Sequence, residues 1–294
     1  MRLADFYRRA AASLEGIYPP AEAQAMVRAL LESVTGLSGY SYVSEPSLDI
    51  SGEALEALES GLGRLLSCEP LQYVTGRAWF CGHAFRVSPD VLIPRPETEL
   101  LVEEALSGLS EAGALPDAAP VRALDLCTGS GCIAWSLAIA RPGTEVTAVD
   151  ISEAALELAR SQDFPGEKLP SGVVAPVFLC ADVLEGPRGC GSGLDLIVAN
   201  PPYILPSQRS AMRPNVLDYE PELALFVPED DPLLFYRAVV AWAGALLRPG
   251  GRLLVEINDA LAPETATLFS DAGLRDVRVM PDLSGRDRMV GGLL

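Results

Sequence analysis

The stretch ALDLCTGSGCIAWSLA (123–138) has the pattern of a buried strand, a tight glycine turn and the start of a helix. Gly129 and Gly131 permit positive φ angles and allow a ligand to approach the backbone closely. The first amides of the following helix can donate hydrogen bonds to that ligand. Asp150 ends the next strand about 20 residues on, as in GxGxxA nucleotide-binding segments, where such an acid bonds ribose hydroxyls. The pattern predicts a site for an adenosyl ligand.

Acidic residues near strand ends favour S-adenosylmethionine over NAD as that ligand. Asp125 lies inside the first strand, where a carboxylate suits the cationic amino end of a methionine moiety and offers nothing to a pyrophosphate. Asp182 follows the third strand and is placed to accept from an adenine amino group. Taken singly, each acid also fits a solvated turn or a cap. Together they mark the sheet edge where open α/β folds bind ligands.

The tetrapeptide NPPY (200–203) follows the fourth predicted strand. Each proline fixes φ and removes a donor, so one interpretation is simply a stiff turn. In the other, the Asn200 side-chain carbonyl and the Pro201 backbone carbonyl grip the two hydrogens of a planar NH2 group. Tyr203 then stacks on the planar group that carries it. Such a site suits a carboxamide or an exocyclic amine and does not suit hydride transfer.

From residue 121 onward, apolar strands alternate with helical patterns, which occupy 132–140, 152–160 and 233–247. Strands without polar alternation are expected when helices cover both faces of a parallel sheet, so we predict an α/β fold. Residues 274–294 predict a terminal antiparallel hairpin. The predicted strands are VRALDLC (121–127), EVTAVDI (145–151), VVAPVFLC (173–180), LDLIVAN (194–200) and GRLLVEI (251–257).

The first part of the chain has a different pattern. Residues 1–75 place apolar side chains at helical spacing, which predicts a small unit of three or four helices. Residues 76–93 predict a short hairpin, followed by a helix that starts near Glu97 or Thr98. The segment 108–120, rich in Ala, Gly and Pro, predicts a surface connection. We divide the chain into a helical substrate-recognition domain (1–75), a hairpin with a linker helix (76–110) and an α/β domain (111–294).

Composition limits the class of protein. The 294 residues are 49% hydrophobic and carry 40 acidic against 22 basic side chains, a net charge of −18. The apolar content is sufficient for a buried core, and the acidic balance disfavours broad nucleic-acid binding. The longest strongly apolar stretch, 239–247, is far shorter than the roughly 20 residues of a membrane span, and no secretory signal is evident. We expect a cytoplasmic protein without membrane attachment.

The cysteines and the single histidine favour structural roles. The six cysteines form no CxxC pair, so disulfides and a zinc site are disfavoured, and their apolar flanks predict that most are buried. A structural role in a turn is favoured for His83 over a catalytic one. We therefore expect no metal site.

Taken together, these segments resemble the class I (Rossmann-like) S-adenosylmethionine-dependent methyltransferases that modify planar amino nitrogens. Within that class the chain is similar to the PrmC/HemK family, the release factor glutamine N5-methyltransferases. NPPY alone also occurs in adenine-N6 DNA methyltransferases, whereas PRPETE followed by TGSGCIA is much more specific. The likeness covers nearly the whole chain and is carried by EPLQYVTG (69–76), VLIPRPETELLVEEAL (91–106), LDLCTGSGCIA (124–134), AVDIS (148–152), NPPYI (200–204), YEPELALF (219–226) and DLSGRDR (282–288).

The resemblance implies S-adenosylmethionine as cofactor and the glutamine of the Gly-Gly-Gln motif of class I peptide chain release factors as substrate. It implies no direct nucleic-acid partner. Catalytic and substrate-binding roles fall on Asn200, Pro201, Pro202 and Tyr203, and Arg95 and Glu97 are further substrate-binding candidates. The implied cofactor-binding residues are Asp125, Cys127, Thr128, Gly129, Ser130, Gly131, Asp150, Asp182, Val183 and Asn200.

Some residues depart from the family pattern, and two other functions stay open. Cys127 stands where the family usually has glycine, and we expect this strand-end position to tolerate it. Val183 replaces a frequent aromatic residue, and Asn258 and its neighbours lack the usual Gly and Gln. An adenine-N6 nucleic-acid methyltransferase would need a basic groove for a flipped base. A non-catalytic adenosyl-binding module would keep the glycine turn but would not need Asn200.

Overall fold

The computed structural model describes residues 1–111 and 120–294. Its contacts form two compact units. The helical unit comprises Met1–Arg77 and Met212–Tyr219, and the sheet unit comprises Ala78–Ala211 and Glu220–Leu294. The predicted three-part domain division stays a prediction, because compactness alone places the hairpin, the linker helix and the α/β segment in one unit.

The elements are numbered in chain order. The α-helices are α1 (Leu3–Leu14), α2 (Pro20–Thr35), α3 (Ser41–Ser44), α4 (Gly52–Leu66), α5 (Leu71–Thr75), α6 (Pro96–Glu111), α7 (Cys132–Ala140), α8 (Glu153–Arg160), α9 (Pro214–Leu217), α10 (Glu222–Leu225), α11 (Leu234–Leu246) and α12 (Ala262–Asp271). The strands are β1 (Arg77–Phe80), β2 (His83–Arg86), β3 (Arg122–Leu126), β4 (Glu145–Asp150), β5 (Val177–Cys180), β6 (Leu194–Ala199), β7 (Leu247–Glu256), β8 (Arg275–Pro281) and β9 (Asp287–Leu293).

The helical unit is held together by one apolar core. Side chains at helical spacing on α1, α2 and α4 meet there, among them Phe6, Leu30 and Leu58, each at most 1% exposed. Five helices lie within 1–75 rather than the predicted three or four, because the chain also forms the short helices α3 and α5. The segment with α9 belongs to this unit, since the Tyr219 hydroxyl donates to the Ser67 carbonyl at 2.6 Å.

The sheet unit contains a seven-stranded sheet in the order β5-β4-β3-β6-β7-β9-β8. The first five strands are parallel, and β9 and β8 form the predicted antiparallel hairpin. Side chains alternate between two apolar cores: Leu196 and Val198 pack in the one that α6 and α7 cover, and Ile197 and Ala199 pack in the one that α11 covers. The predicted α/β class is confirmed.

This topology places a ligand crevice at the carboxyl ends of β3 and β6. The chain runs from β3 to β4 on one side, whereas β6 and β7 lie on the other side of β3. Open α/β sheets bind ligands where the strand order reverses in this way. The glycine turn follows β3 and NPPY follows β6, so both motifs lie at this point.

Several element boundaries differ from the prediction, among them the start of β7 at Leu247 rather than at residue 251. Strand β5 starts only at Val177 because Pro176 has no amide hydrogen to donate to the ladder. Helix α6 continues to Glu111, into the segment predicted as a surface connection, and the rest of that segment (112–119) lies outside the described residues. Gly108 allows this continuation beside Arg252, whose guanidinium bonds Glu104 at 2.9 Å and would contact any Cβ at residue 108.

The burial of the cysteines and the location of the histidine differ in part from the prediction. Cys132 and Cys190 are buried, but Cys68, Cys81 and Cys127 are half-buried and Cys180 is exposed, so the expectation that most are buried is wrong. All six are free thiols. His83 lies on strand β2 rather than in a turn, with Nδ1 2.5 Å from a Glu167 carboxylate oxygen. This contact is consistent with a structural role.

Across residues 1–111 and 120–294, each helix falls short of the length or the apolar character needed to cross a bilayer.

Candidate active site

The glycine turn after β3 depends on two glycines with left-handed backbone. Gly129 has φ 54° and Gly131 has φ 78°. A Cβ at Gly131 would lie 3.0 Å from the Ala159 Cβ and 3.2 Å from the Phe178 ring, whereas one at Gly129 would meet no described atom within 4 Å. Gly131 is therefore required both for its backbone angle and for close packing of the start of α7.

Cys127, the first residue of this turn, also has a left-handed backbone. Its φ is 61°, a value that is uncommon for a residue with a Cβ and costs on the order of 1–3 kcal/mol. The turn accommodates cysteine at this position with a backbone strain that glycine would relieve. Burial also raises the pKa of the Cys127 thiol, so the side chain stays neutral.

Asp125 lies beneath the turn and is fully buried. One carboxylate oxygen accepts from the Thr128 hydroxyl at 2.5 Å and from the Ala134 amide at 3.2 Å. The other oxygen, Oδ1, has no partner among the described residues. Burial raises the pKa of Asp125 to about 7. These hydrogen bonds connect the glycine turn to the start of helix α7.

Asp150 connects β4 to the glycine turn. Its two oxygens accept from the Gly129 amide at 2.8 Å and the Ser152 amide at 3.0 Å. Burial raises the pKa of this carboxyl, and its backbone bonds oppose that rise. Asp182 instead caps a short 3-10 helix, Val183–Glu185, by accepting from the Leu184 amide at 2.8 Å.

A cavity of about 280 Å³ opens at the carboxyl ends of β3, β4 and β6. Its apolar lining includes Ile151, Val183, Leu184, Leu223 and Phe235. The structure brings ten of the predicted site residues to this cavity. They are Arg95, Cys127, Thr128, Gly129, Ser130, Asp150, Asp182, Val183, Asn200 and Pro202.

The NPPY segment is held by side chains that come from other elements. The Asn200 amide nitrogen Nδ2 donates to the Thr98 hydroxyl at 3.2 Å, and that hydroxyl donates to the Glu256 carboxylate at 2.7 Å. The Tyr203 hydroxyl donates to the other Glu256 oxygen at 2.9 Å. Asn258 donates to the Tyr203 carbonyl at 3.0 Å. These bonds attach the segment to α6 and to the end of β7.

Five predicted site residues lie outside the described cavity lining: Asp125, Gly131, Pro201, Tyr203 and Glu97. Asp125 instead bonds Thr128 and Ala134 beneath the glycine turn, and Gly131 is the last residue of that turn. Pro201 is buried, and the Tyr203 hydroxyl donates to buried Glu256. Glu97 is exposed on the first turn of α6. The ligand-binding roles predicted for these five residues stay predictions.

Arg95 lies at the cavity and is fixed by an ion pair. Its guanidinium is 2.5 Å from a Glu220 oxygen, and the other Glu220 oxygen accepts from the Ile93 amide at 3.1 Å. The Glu220 side chain is 1% exposed, whereas that of Arg95 is 32% exposed. The pair holds the loop before α6 next to the loop before α10.

Sequence reasoning missed Thr98, Glu220 and Glu256 as members of the site. Glu256 had an available signal, because it ends a buried strand as Asp150 does. Thr98 lies at the predicted helix start, and that pattern indicates a structural role only. Glu220 follows a tyrosine in a loop, and no local pattern distinguishes it from a solvated acid.

Comparison with known proteins gives two matches to family models. Residues 5–76 match the PrmC N-terminal domain, and residues 109–215 match the methyltransferase small domain. A crystal structure of a release factor-specific protein-(glutamine-N5) methyltransferase from Alicyclobacillus acidocaldarius is 34% identical. It covers 71% of this chain and 98% of its own, with a TM-score of 0.41.

Curated relatives match almost the full length. The release factor glutamine methyltransferase of Bacteroides thetaiotaomicron is 42% identical over 278 residues, 95% of each chain. The enzyme of the same name from Deinococcus radiodurans is 35% identical over 99% of this chain and 98% of its own. The predicted class I methyltransferase fold with an N-terminal helical region is confirmed. The chain belongs to the release factor glutamine methyltransferase family.

Proposed function

We propose that the protein transfers a methyl group from S-adenosylmethionine to the side-chain amide nitrogen, N5, of the glutamine in the Gly-Gly-Gln motif of class I peptide chain release factors. The observation that carries this proposal is the Asn200 carboxamide, which is fixed beside the cavity with its nitrogen on Thr98. Its oxygen is left to accept from an NH2 group. A glutamine side chain supplies such a group.

The residues around the cavity fit an adenosyl cofactor. The Gly129 backbone permits close approach, and Asp150 keeps lone pairs for ribose hydroxyls beyond its two backbone bonds. Ile151, Val183 and Leu184 offer an apolar surface for a purine ring. When bound, the sulfonium of the cofactor supplies the electrophilic methyl group. We assign the turn 127–131, Asp150, Asp182 and Val183 to holding the cofactor, and Asp125 to supporting that turn.

The protein's task in the methyl transfer is to orient a weak nucleophile. An amide nitrogen reacts poorly because its lone pair is delocalised into the carbonyl. The Asn200 oxygen and the Pro201 carbonyl would accept hydrogen bonds from its two hydrogens. These bonds would localise the lone pair and direct it at the methyl group. Orientation of this kind supplies up to ~7–11 kcal/mol in favourable cases. Pro202 at the cavity and Tyr203 on Glu256 keep the segment in place.

The charge of −18 and the pairing of Arg95 with Glu220 support a protein substrate over a nucleic acid. The test incubates the purified protein with tritiated S-adenosylmethionine and three acceptors: a class I release factor, the same factor with the Gly-Gly-Gln glutamine replaced by alanine, and duplex DNA. We expect label only in the unmodified factor, located on the glutamine side chain by tandem mass spectrometry. Equal labelling of the alanine factor, or label in DNA alone, would overturn the proposal.

A further inference from the structure

The hydrogen bonds around Asn200 determine which of its two polar atoms faces the cavity. A threonine hydroxyl has one hydrogen to donate, and an ionised carboxylate can only accept. The Thr98 hydroxyl donates to Glu256 at 2.7 Å, so its hydrogen is already committed. Towards Asn200 it can act only as an acceptor, which requires Nδ2 of the carboxamide on that side.

We propose that Glu256 is a positioning residue for methyl transfer: acting through Thr98, its carboxylate keeps the Asn200 oxygen directed at the substrate NH2 group. This inference rests on the proposed function and deepens it. Neither residue needs to touch substrate, since Thr98 is 2% exposed and Glu256 is 1% exposed. Their effect is to select one of two orientations of a planar amide that differ little in shape.

Protonation of Glu256 would remove this selection. A neutral carboxyl group carries a hydrogen that it can donate, so Thr98 is then free to accept from Glu256 and to donate to Asn200. That donation would favour the reversed amide, with Nδ2 facing the substrate. Two NH2 groups would then oppose each other, and neither could accept. Activity should therefore require the ionised form of Glu256.

Several charged or titratable groups face Glu256. Arg288 on β9 favours its ionised form, whereas Glu97 on α6 disfavours it. Tyr203 donates a hydrogen bond to it, and Tyr236 on α11 is close enough to interact with its charge. Burial outweighs the favourable contacts and raises the pKa of Glu256 above that of an ordinary glutamate. Loss of activity on acidification is accordingly expected at a higher pH than for an exposed glutamate.

The first test removes the hydroxyl and then restores it. Thr98→Val keeps the shape but loses donor and acceptor, and we expect kcat to fall about 10- to 100-fold, the size of one buried hydrogen bond. KM for the release factor and Kd for the cofactor should change less than about twofold if the loss is confined to the reacting geometry. Thr98→Ser should recover most of kcat. Thr265→Val is the matched control, because Thr265 is fully buried, its hydroxyl donates to the Leu261 carbonyl just before α12, and it lies outside the described cavity lining.

The second test measures the amide itself, without any turnover. The side-chain NH2 signal of Asn200 is assigned by its loss in Asn200→Ala, and its ¹⁵N shift is followed from pH 5 to 9. We expect the ¹⁵N shift of Asn200 to change with pH in the native protein and to stay constant in Glu256→Gln. In that variant the part of the fall of kcat at low pH that depends on Glu256 should also disappear. An Asn200 titration that persists unchanged in Glu256→Gln, or Thr98→Ser as impaired as Thr98→Val, would overturn the proposal. Absence of methyl transfer by the native protein would instead overturn the proposed function and leave the NMR result to decide this inference.

Discussion

The glycine turn after β3 and the NPPY segment after β6 lie at the same sheet edge, but they are stabilised in different ways. The glycine turn is held by neighbours close in sequence: Thr128 is three residues from Asp125, and Asp150 bonds Gly129 across 21 residues. The NPPY segment depends on Thr98, 102 residues before Asn200, and on Glu256, 53 residues after Tyr203. A local motif thus shapes one half of the cavity, and long-range contacts shape the other.

Because the two segments are stabilised independently, a mutation in the NPPY segment should slow methyl transfer without an equal loss of cofactor affinity. Asn200→Ala should lower kcat about 10²–10³-fold, since loss of one preorganised group at a reacting centre costs ~3–4 kcal/mol. Cofactor affinity should fall far less, because the glycine turn keeps its own bonds. Single-turnover rates with saturating cofactor and release factor measure the first effect, and titration calorimetry measures the second. A near-normal transfer rate would exclude the proposed role of Asn200.

Within the glycine turn, the two glycines should differ in their sensitivity to a methyl group. Gly131→Ala adds backbone strain and contacts with Ala159 and Phe178, and we expect it to lower the free energy of unfolding by about 2–4 kcal/mol. Gly129→Ala is the matched control, since only its φ of 54° is unfavourable, and about 1–2 kcal/mol is expected. Urea unfolding measures both. If both variants lost the same free energy of unfolding, the close packing at Gly131 would not contribute to stability.

Asp125 beneath the turn should make stability depend on pH. Its pKa is raised to about 7 in the folded state, so between pH 4 and 7 the folded protein binds more protons at this site than the unfolded chain does. The free energy of unfolding should therefore fall with rising pH, by about 2–3 kcal/mol from pH 5 to pH 8 through this group alone. Asp125→Asn should remove that part of the slope. Denaturant titrations at both pH values test this, and an unchanged slope would contradict the expectation.

The smallest expected effect concerns Asp150, which belongs to both the turn and the cavity. Asp150→Ala should weaken S-adenosylmethionine binding by about 1–3 kcal/mol, because an acceptor for ribose hydroxyls is lost in a largely desolvated site. Glu153→Ala, at an exposed acid three residues further on, is the control. Calorimetric titration of both variants measures the difference. Equal affinities would place the cofactor ribose away from Asp150.

The same contrast explains what the sequence predicts and what it does not. Gly129, Gly131 and Asp150 follow from a pattern of adjacent residues, because strand, turn and helix are all encoded within a few positions. The strands follow from their apolar runs. The bond between Thr98 and Glu256 joins residues 158 positions apart, and its existence depends on how α6 packs on β7. The buried surroundings of Asp125 and Tyr203 could not be predicted for a related reason, since burial is decided by the elements that pack over them.

The segment Met212–Tyr219 has a consequence for synthesis of the chain. It belongs to the helical unit, yet it is translated only after β1 to β6 of the sheet unit have been made. Domains generally fold as units in the order of their synthesis. Here the helical unit lacks α9 and the Tyr219 bond to Ser67 until most of the next unit has left the ribosome. An expressed fragment of residues 1–77 would therefore lack part of its unit. A fusion that joins residues 212–219 to this fragment through a linker should be more stable in isolation.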